Sequence, residues 1–412
     1  MKKLFLIILF FSGYFTLSQN SSNTSSSARI EAVRLLQEGD MHLQYGDWES
    51  ALFSYTNAIQ ADVTYAEAYM KRGQLYEKTT HTQEALADYN MAIKLNPLID
   101  VYYDQRARIK MLSLDYYGAL EDINEAIKID SANSSYLKHQ TDNYISLGMY
   151  EEALDKLSLK EDVENLNRRA LIQILEGQFS ESYETLQSSM ELNDTVYFTY
   201  DLMGLLYLKE EDYEKSIDYF TQAIELNEQA YISYFNRAMA YRKSGSQELA
   251  LTDITEAIRL NQNEQLLFYK SALIKKEQGD FDGAIEDYNQ AIVIDSTYHE
   301  AIYNRAFTYK LAGDFFSAEE DIEFLVQENN DKPEYWNMKG AILVLRGDFT
   351  EAIECFDRAL SYDFRYTEAL YNRGFANLLI YRPIQACEDF EKSVEMGSKK
   401  GQTMFDNFCG AY

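Results

Sequence analysis

The sequence predicts an all-α protein, a right-handed α-solenoid of about eleven antiparallel helix pairs closed by a C-terminal capping helix. Three observations predict it. Only three of 412 residues are proline and 18 are glycine, while Ala, Leu, Glu and Tyr are abundant, so little interrupts a helix. The segments GDWESALFSYTNAI, GDFDGAIEDYNQAI, GDFFSAEEDIEFL and GDFTEAIECFDRAL share a Gly-Asp-aromatic turn, then a helix with Ala and, four residues on, an aromatic residue or Ile. Finally, that small residue recurs at Ala51, Ala85, Ala119, Ala153, Ser182, Ser216, Ala250, Ala284, Ala318, Ala352 and Ala386, every step being 34 residues except the 29 from Ala153 to Ser182. A fixed step of this size is the mark of stacked supersecondary units, each too small to bury its own apolar face.

The elements follow in chain order. Residues 1–18 read as a signal peptide: Lys2 and Lys3 form a positive start, Leu4 to Phe15 an apolar stretch, and Thr16-Leu17-Ser18 offers small residues for cleavage before Gln19. The apolar stretch falls short of the roughly 20 residues that span a bilayer, and no cysteine near the cleavage point offers a lipid anchor. A cleaved signal implies an exported chain with no transmembrane span, in a bacterial periplasm or secreted; an uncleaved anchor is the other reading. Residues 19–31 form a flexible polar linker, with sequons at Asn20 and Asn23 that matter only in a eukaryotic secretory pathway. Repeats one to four then occupy 32–162, repeats five to eleven 163–396, and the capping helix 397–412, where Met404, Phe405, Phe408 and Cys409 fall on one helical face.

Within each repeat, numbered 1 to 34, the same residue types return. The repeat that opens at Ala66 carries Tyr69, Gly73, Tyr76, Ala85, Tyr89 and Ala92 at positions 4, 8, 11, 20, 24 and 27, with Pro97 at 32; the one from Tyr197 carries Tyr200, Gly204, Tyr207, Ser216, Phe220 and Ala223; the one from Pro333 has Trp336, Gly340, Leu343, Ala352, Phe356 and Ala359. This pattern resembles the tetratricopeptide repeat over roughly residues 32 to 400. The resemblance implies a first helix (A) and a second helix (B) in close approach at the small positions, with aromatic residues filling the space between units.

Arg at position 7 accompanies Asp at position 23 of the same repeat: Arg72 with Asp88, Arg106 with Asp122, Arg237 with Asp253, Arg305 with Asp321, Arg373 with Asp389. Repeats without the Arg generally lack the Asp, as in Glu38 with Ser54 and Met203 with Tyr219; Ser271 with Asp287 and Arg169 with Thr185 are the exceptions. The covariation predicts a salt bridge between helices A and B, bidentate where geometry allows. Three of these arginines follow an asparagine, in Asn236-Arg237, Asn304-Arg305 and Asn372-Arg373, two repeats apart, and Arg168-Arg169 is a variant two repeats earlier.

In peptide-binding members of the family position 6 faces the concave groove, so the resemblance makes Asn236, Asn304 and Asn372 candidate ligand contacts, since an amide side chain both donates to and accepts from a peptide backbone. A solvated residue inherited by duplication is the equal alternative. The same resemblance puts positions 2, 5, 9 and 12 on the groove. Position 9 is polar in the first four repeats (Asp40, Gln74, Arg108, Asp142) and apolar from the fifth (Leu171, Leu205, Met239, Leu273, Phe307, Ala341, Phe375). Position 5 partly follows with Phe235, Tyr269, Tyr303 and Tyr371, though Asn167, Asp201 and Asn337 break the row. The apolar row is a recognition surface, or packing against the next unit. Position 12 adds Arg242, Lys276 and Lys310, with Lys209, Lys243 and Lys275 nearby. They suit an acidic segment of a partner or, equally simply, helix C-termini, whose dipole favours cations. No repeat joins Lys at 5 to Asn at 9, so the family's carboxylate clamp is not expected. The short step between Leu157 and Leu166, which puts Lys160 at position 27, predicts a joint between the two blocks of repeats.

A formal net charge of −29 argues against nucleic acid, whose phosphates need a basic footprint. His42, His81, His139 and His299 match no metal-ligand spacing, and no phosphate loop, dinucleotide fingerprint or nucleophile elbow is present. The expectation is a non-enzymatic chain with no cofactor or metal. The three cysteines, Cys355, Cys387 and Cys409, allow a Cys387–Cys409 link, although buried free thiols are the preferred reading. The expected role is an exported scaffold or adaptor holding a protein segment in its groove; the alternatives are a structural component of an envelope complex and an accessory regulatory subunit of an enzyme.

Overall fold

The computed structural model describes residues 26–157 and 161–409. The expected signal peptide, the start of the linker, and Lys160 lie outside them. Among the described residues there are 23 helices and no strand. They form two compact units, the first ending at Glu176 and the second running from Gly177.

In the first unit the A helices are α1 (26–44), α3 (Ala66–Lys78), α5 (Asp100–Leu112), α7 (Ser134–Ser146) and α9 (Val163–Leu175), and the B helices are α2 (Trp48–Ala61), α4 (Thr82–Leu95), α6 (Tyr116–Ile129) and α8 (Tyr150–Leu157). The second unit opens with α10 (Phe179–Leu192). Its A helices are α11 (Tyr197–Lys209), α13 (Tyr231–Lys243), α15 (Gln265–Glu277), α17 (His299–Ala312), α19 (Pro333–Arg346) and α21 (Thr367–Leu379), paired with B helices α12 (Tyr213–Leu226), α14 (Gln247–Leu260), α16 (Phe281–Ile294), α18 (Phe315–Glu328), α20 (Phe349–Tyr362) and α22 (Pro383–Glu395). Within the first unit from α2 to α9, and within the second from α10 to α22, successive helices pack on one another. In the second unit α11 meets α13 directly, as α17 does α19 and α19 does α21, while side chains bridge α13 to α15 and α15 to α17.

The Gly-Asp turn has a simple local cause. Gly279 sits at φ +82°, the left-handed conformation that ends a helix most cheaply without a β-carbon. The Asp280 carboxylate then accepts the Gly283 N–H at 3.0 Å and so caps the next helix. Leu114, at φ +61°, makes the same turn with a side chain and carries the strain that glycine avoids.

One expectation about the start of the array needs correcting. Helix α1 already includes residues 26–31, inside the segment 19–31 expected to be a flexible linker. It is ordered there because Arg29 pairs with Asp62 at 2.6 Å and lies over the Tyr65 ring at 4.4 Å.

The small positions 20 and 27 are fully buried wherever described, for example Ala51, Ala58, Ala284, Ala291, Ala352 and Ala359. Position 24 meets position 8 of the same repeat, and the two are matched in size. Where position 24 is aromatic and fully buried, position 8 is glycine in five repeats: a β-carbon there would lie 2.5 Å from the Tyr55 ring at Gly39, 2.9 Å from Tyr89 at Gly73, 2.6 Å from Phe220 at Gly204, 2.5 Å from Phe356 at Gly340 and 2.7 Å from Phe390 at Gly374. Where position 24 is Ile, position 8 is alanine, in Ala107–Ile123, Ala238–Ile254 and Ala306–Ile322. Ala272 opposite Tyr288 is the exception, and nothing in the structure explains it. Interiors pack at crystal-like density, so one methyl more or less is felt at such a contact.

Helix α23 (Lys399–Phe408) covers the last repeat, capped by the Ser398 hydroxyl accepting the Gly401 N–H at 3.0 Å. Met404 and Phe405 pack against Phe390 and Cys409 as expected, but Phe408 stays half-exposed. The preference for free thiols also fails for two of the three cysteines. Cys387 and Cys409 form a disulfide with Cα atoms 5.6 Å apart, because the chain leaves α23 directly over α22, at a separation that suits the bond. Only Cys355 is a free cysteine among the described residues, and burial pushes its thiol up to about 11, keeping it protonated and inert.

Candidate functional site

Two polar systems run along the helices, one between A and B helices and one across the A-helix face. In the first, all five predicted Arg–Asp pairs are bidentate, each Nε and Nη2 donating to the two carboxylate oxygens of the Asp sixteen residues on, at 2.5–2.9 Å. The Asp side chains are buried and the Arg stems nearly so. Each Arg also reaches backwards: its Nη1 donates to position 25 of the preceding B helix, to Thr56, Asn90, Thr221, Asn289 and Asp357 in turn. Position 7 is therefore a bolt through three helices. Gln140 to Asn124 at 2.7 Å and Lys339 to Glu323 at 3.0 Å repeat the backward half with other residue types.

The exceptional Asp287 also has a cation. Ser271 donates to it at 2.6 Å and Lys275 lies 2.7 Å away. Lys275 thus belongs to the interhelix system and not to the groove cluster in which its neighbours suggested it.

On the A-helix face of the first unit the charges at position 9 are already paired. Asp40 meets Lys71 at 3.2 Å, Arg108 meets Glu77 at 3.1 Å, and Asp142 accepts from Arg168 at 2.6 and 3.1 Å.

The second unit has a different A-helix face. Phe235, Tyr269, Tyr303 and Tyr371 at position 5 are all half-buried. The Tyr269 ring packs 5.1 Å from Tyr298, Tyr303 lies 5.8 Å from Tyr335, and Tyr371 lies 6.2 Å from Phe390. At position 9, Met239, Leu273 and Phe307 pack partly into the cores beneath them, while Phe375 is exposed. These side chains therefore contribute to packing while part of their surface stays exposed.

The three Asn candidates differ. Asn236 is half-buried and its side chain makes no hydrogen bond among the described residues. Asn304 is engaged: its Nδ2 donates to the Tyr269 hydroxyl at 3.2 Å and the Glu300 carbonyl at 2.9 Å, and its Oδ1 accepts from Lys276 at 2.9 Å. Asn372 donates to Asn337 Oδ1 at 2.9 Å.

The position-12 cations also part company. Arg242 already has a counter-charge: its Nε, at 3.0 Å, and its Nη2 both donate to Glu277 on the next A helix. The clue was Glu one place beyond position 12 of the following repeat. Lys276 and Lys310 have no carboxylate within 4.0 Å among the described residues; both ammonium groups lie near the Phe307 ring, at 5.3 and 4.5 Å from its centroid. Burial pushes the pKa of each below the ordinary lysine value.

A buried carboxylate interrupts the same face. Asp201 accepts the Ser233 hydroxyl at 2.8 Å, and its other oxygen has no partner. Burial pushes its carboxyl up to about 7, against the Ser233 hydrogen bond. The native state thus holds a proton where an unfolded Asp, at about 3.9, has lost it, so this group lowers stability progressively as pH rises from about 4 to 7. Asp201→Asn should flatten the pH dependence across that window and stabilise the fold by on the order of 2 kcal/mol above it. Urea denaturation at a series of pH values tests this; an unchanged slope excludes the assignment.

Among the described residues no three His, Cys, Asp or Glu side chains gather as metal ligands, and no helix is long and apolar enough to cross a membrane. These features define a class: arrays of helix pairs bolted through polar positions. Models of the tetratricopeptide repeat match residues 66–99, 333–366, 199–229 and 231–264, and one described as a TPR repeat matches 272–313. The chain is a tetratricopeptide-repeat protein. No curated protein matches it. Among solved structures it is similar to a tetratricopeptide repeat protein from Parabacteroides merdae (18% identity, 59% of this chain and 97% of that one, TM-score 0.47) and to yeast Tom70 (14%, 92% and 95%, 0.40). It is also similar to YrrB, described as a TPR protein with an unusual peptide-binding site (20%, 45% and 97%, 0.38).

Proposed function

We propose that the chain is an exported scaffold that holds a segment of another protein along the A-helix face of repeats six to eleven. The observation that supports this reading is the row of half-buried and exposed aromatic side chains on that face, Phe235, Tyr269, Tyr303, Phe307, Tyr371 and Phe375. Outward aromatic faces backed by a rigid core lose little conformational freedom on binding, and they are the residue type enriched at protein interfaces. Asn236 adds an unengaged amide beside Phe235. The support for export is the N-terminal sequence, with Lys2 and Lys3 ahead of Leu4 to Phe15, and it favours a bacterial periplasm or a secreted product.

The test is affinity capture from envelope extract by wild type and by Phe235→Glu/Phe375→Glu, two changes toward the ends of the aromatic row. Wild type should enrich a partner that the folded variant retains at least about tenfold less well, since charging an apolar contact costs more than 1.4 kcal/mol. Capture of the same partner at the same yield by a variant with unchanged helicity excludes the face.

A further inference from the structure

The whole chain carries a net charge of −29, yet two half-buried lysines on the A-helix face have no carboxylate within ion-pair distance among the described residues. Lys276 and Lys310 occupy position 12 of successive repeats, on α15 and α17. Lys276 donates to Asn304, which is fixed in turn by Tyr269, and both ammonium groups sit at the Phe307 ring. A partly desolvated ammonium group is costly unless a counter-charge meets it. The nearby acids act only from beyond ion-pair distance: Glu277, which is held by Arg242 and Gln247, favours the charged form of Lys276, and Glu368 favours that of Lys310, but burial outweighs both. Burial accordingly lowers both lysine pKa values. The cost is offset in part by the ring, whose face attracts cations, and by one neutral amide oxygen. Neither supplies a negative charge.

We infer that Lys276, Asn304, Phe307 and Lys310 form a recognition site for an acidic polypeptide segment, whose carboxylates would sit at the two ammonium groups while its apolar side chains meet the aromatic row. The inference rests on the groove reading above and specifies its partner's chemistry. Charge complementarity chooses the occupant. A nucleic acid needs many basic contacts along its backbone, and this site offers two. Two lysines a repeat apart, flanked by Tyr269, Tyr303 and Phe307, instead suit a short segment with alternating acidic and apolar residues.

The test uses the full chain and fluorescence anisotropy with a labelled Glu- and Leu-rich peptide and its Glu→Gln counterpart. Wild type should prefer the Glu peptide by at least about tenfold. Lys276→Gln/Lys310→Gln should abolish that preference and leave the Gln peptide unaffected, while Lys276→Arg/Lys310→Arg should keep it. Helicity and the thermal midpoint should be unchanged in both. Equal binding of the two peptides by wild type overturns the inference, and so does a preference that survives the Gln double variant. If inorganic phosphate displaces the Glu peptide as readily as unlabelled peptide does, the site takes small anions and the inference is again overturned. Phe235→Glu/Phe375→Glu separates the two readings. Loss of both peptides in that variant, with no wild-type preference for Glu, leaves the groove standing and removes only the acidic partner. If neither peptide binds wild type, both readings fall.

Discussion

Asp321→Ala is expected to reduce the free energy of unfolding by on the order of 3 kcal/mol, far more than a surface ion pair would contribute. Asp321 is buried, and Arg305 gives it two hydrogen bonds, at 2.8 and 2.5 Å. Without the carboxylate the guanidinium keeps only Asn289, and a charge too buried for water to solvate well is left uncompensated. The loss of the partner matters more than the loss of the attraction. Arg305→Ala should cost a similar amount at neutral pH and less in acid, because burial already pushes the Asp321 carboxyl upward and Arg305 alone opposes it. Protonation then relieves the stranded charge. A double change, Arg305→Met with Asp321→Leu, should recover most of the loss. Urea denaturation of the set, followed by circular dichroism, decides it; hydrogen exchange would place the effect in α17, α18 and their neighbours, since repeat contacts are local. Single variants within about 1 kcal/mol of wild type would mean that the bolt carries little of the stability.

Gly340→Ala should destabilise by about 2–3 kcal/mol, the reverse of what helix propensity alone predicts. In an exposed helix this change gains up to about 1 kcal/mol. Here the new methyl would lie 2.5 Å from the fully buried Phe356 ring, so the ring or the helix must shift within a packed interior. The array itself contains the remedy. Ala opposite Ile occurs at Ala306–Ile322 and Ala238–Ile254, so Phe356→Ile should be costly alone and partly restore Gly340→Ala, with a favourable coupling of at least about 1 kcal/mol in the double-mutant cycle. Additive effects of the two changes would show that the size matching is coincidental.

The candidate site was less legible than the fold, for a physical reason that particular residues make plain. Arg72 with Asp88 and its four counterparts could be read from covariation at a fixed spacing, because both partners lie in one repeat. The third contact, from Arg72 back to Thr56 or from Arg305 back to Asn289, follows the same sixteen-residue offset but is easily missed, because Thr, Asn and Asp at position 25 also look like solvated surface. Lys275 and Lys276 are adjacent in sequence and alike in type. One pairs with Asp287 and the other sits at Phe307 beside Asn304. Only the direction in which each leaves the helix separates them. Arg242 looked available to a partner until Glu277 was found across the gap between α13 and α15.

The sequence by itself determined the helix pairs, the register of the repeat, the small residues that let the pairs approach, and the five interhelix salt bridges. All of these depend on periodicity and on contacts within one repeat. The tertiary structure alone decided whether Cys387 and Cys409 join, whether Asn304 is free or bound, and which cations on the A-helix face remain without a counter-charge. Those outcomes depend on side chains from different repeats meeting at angstrom distances, and on how much water burial leaves them.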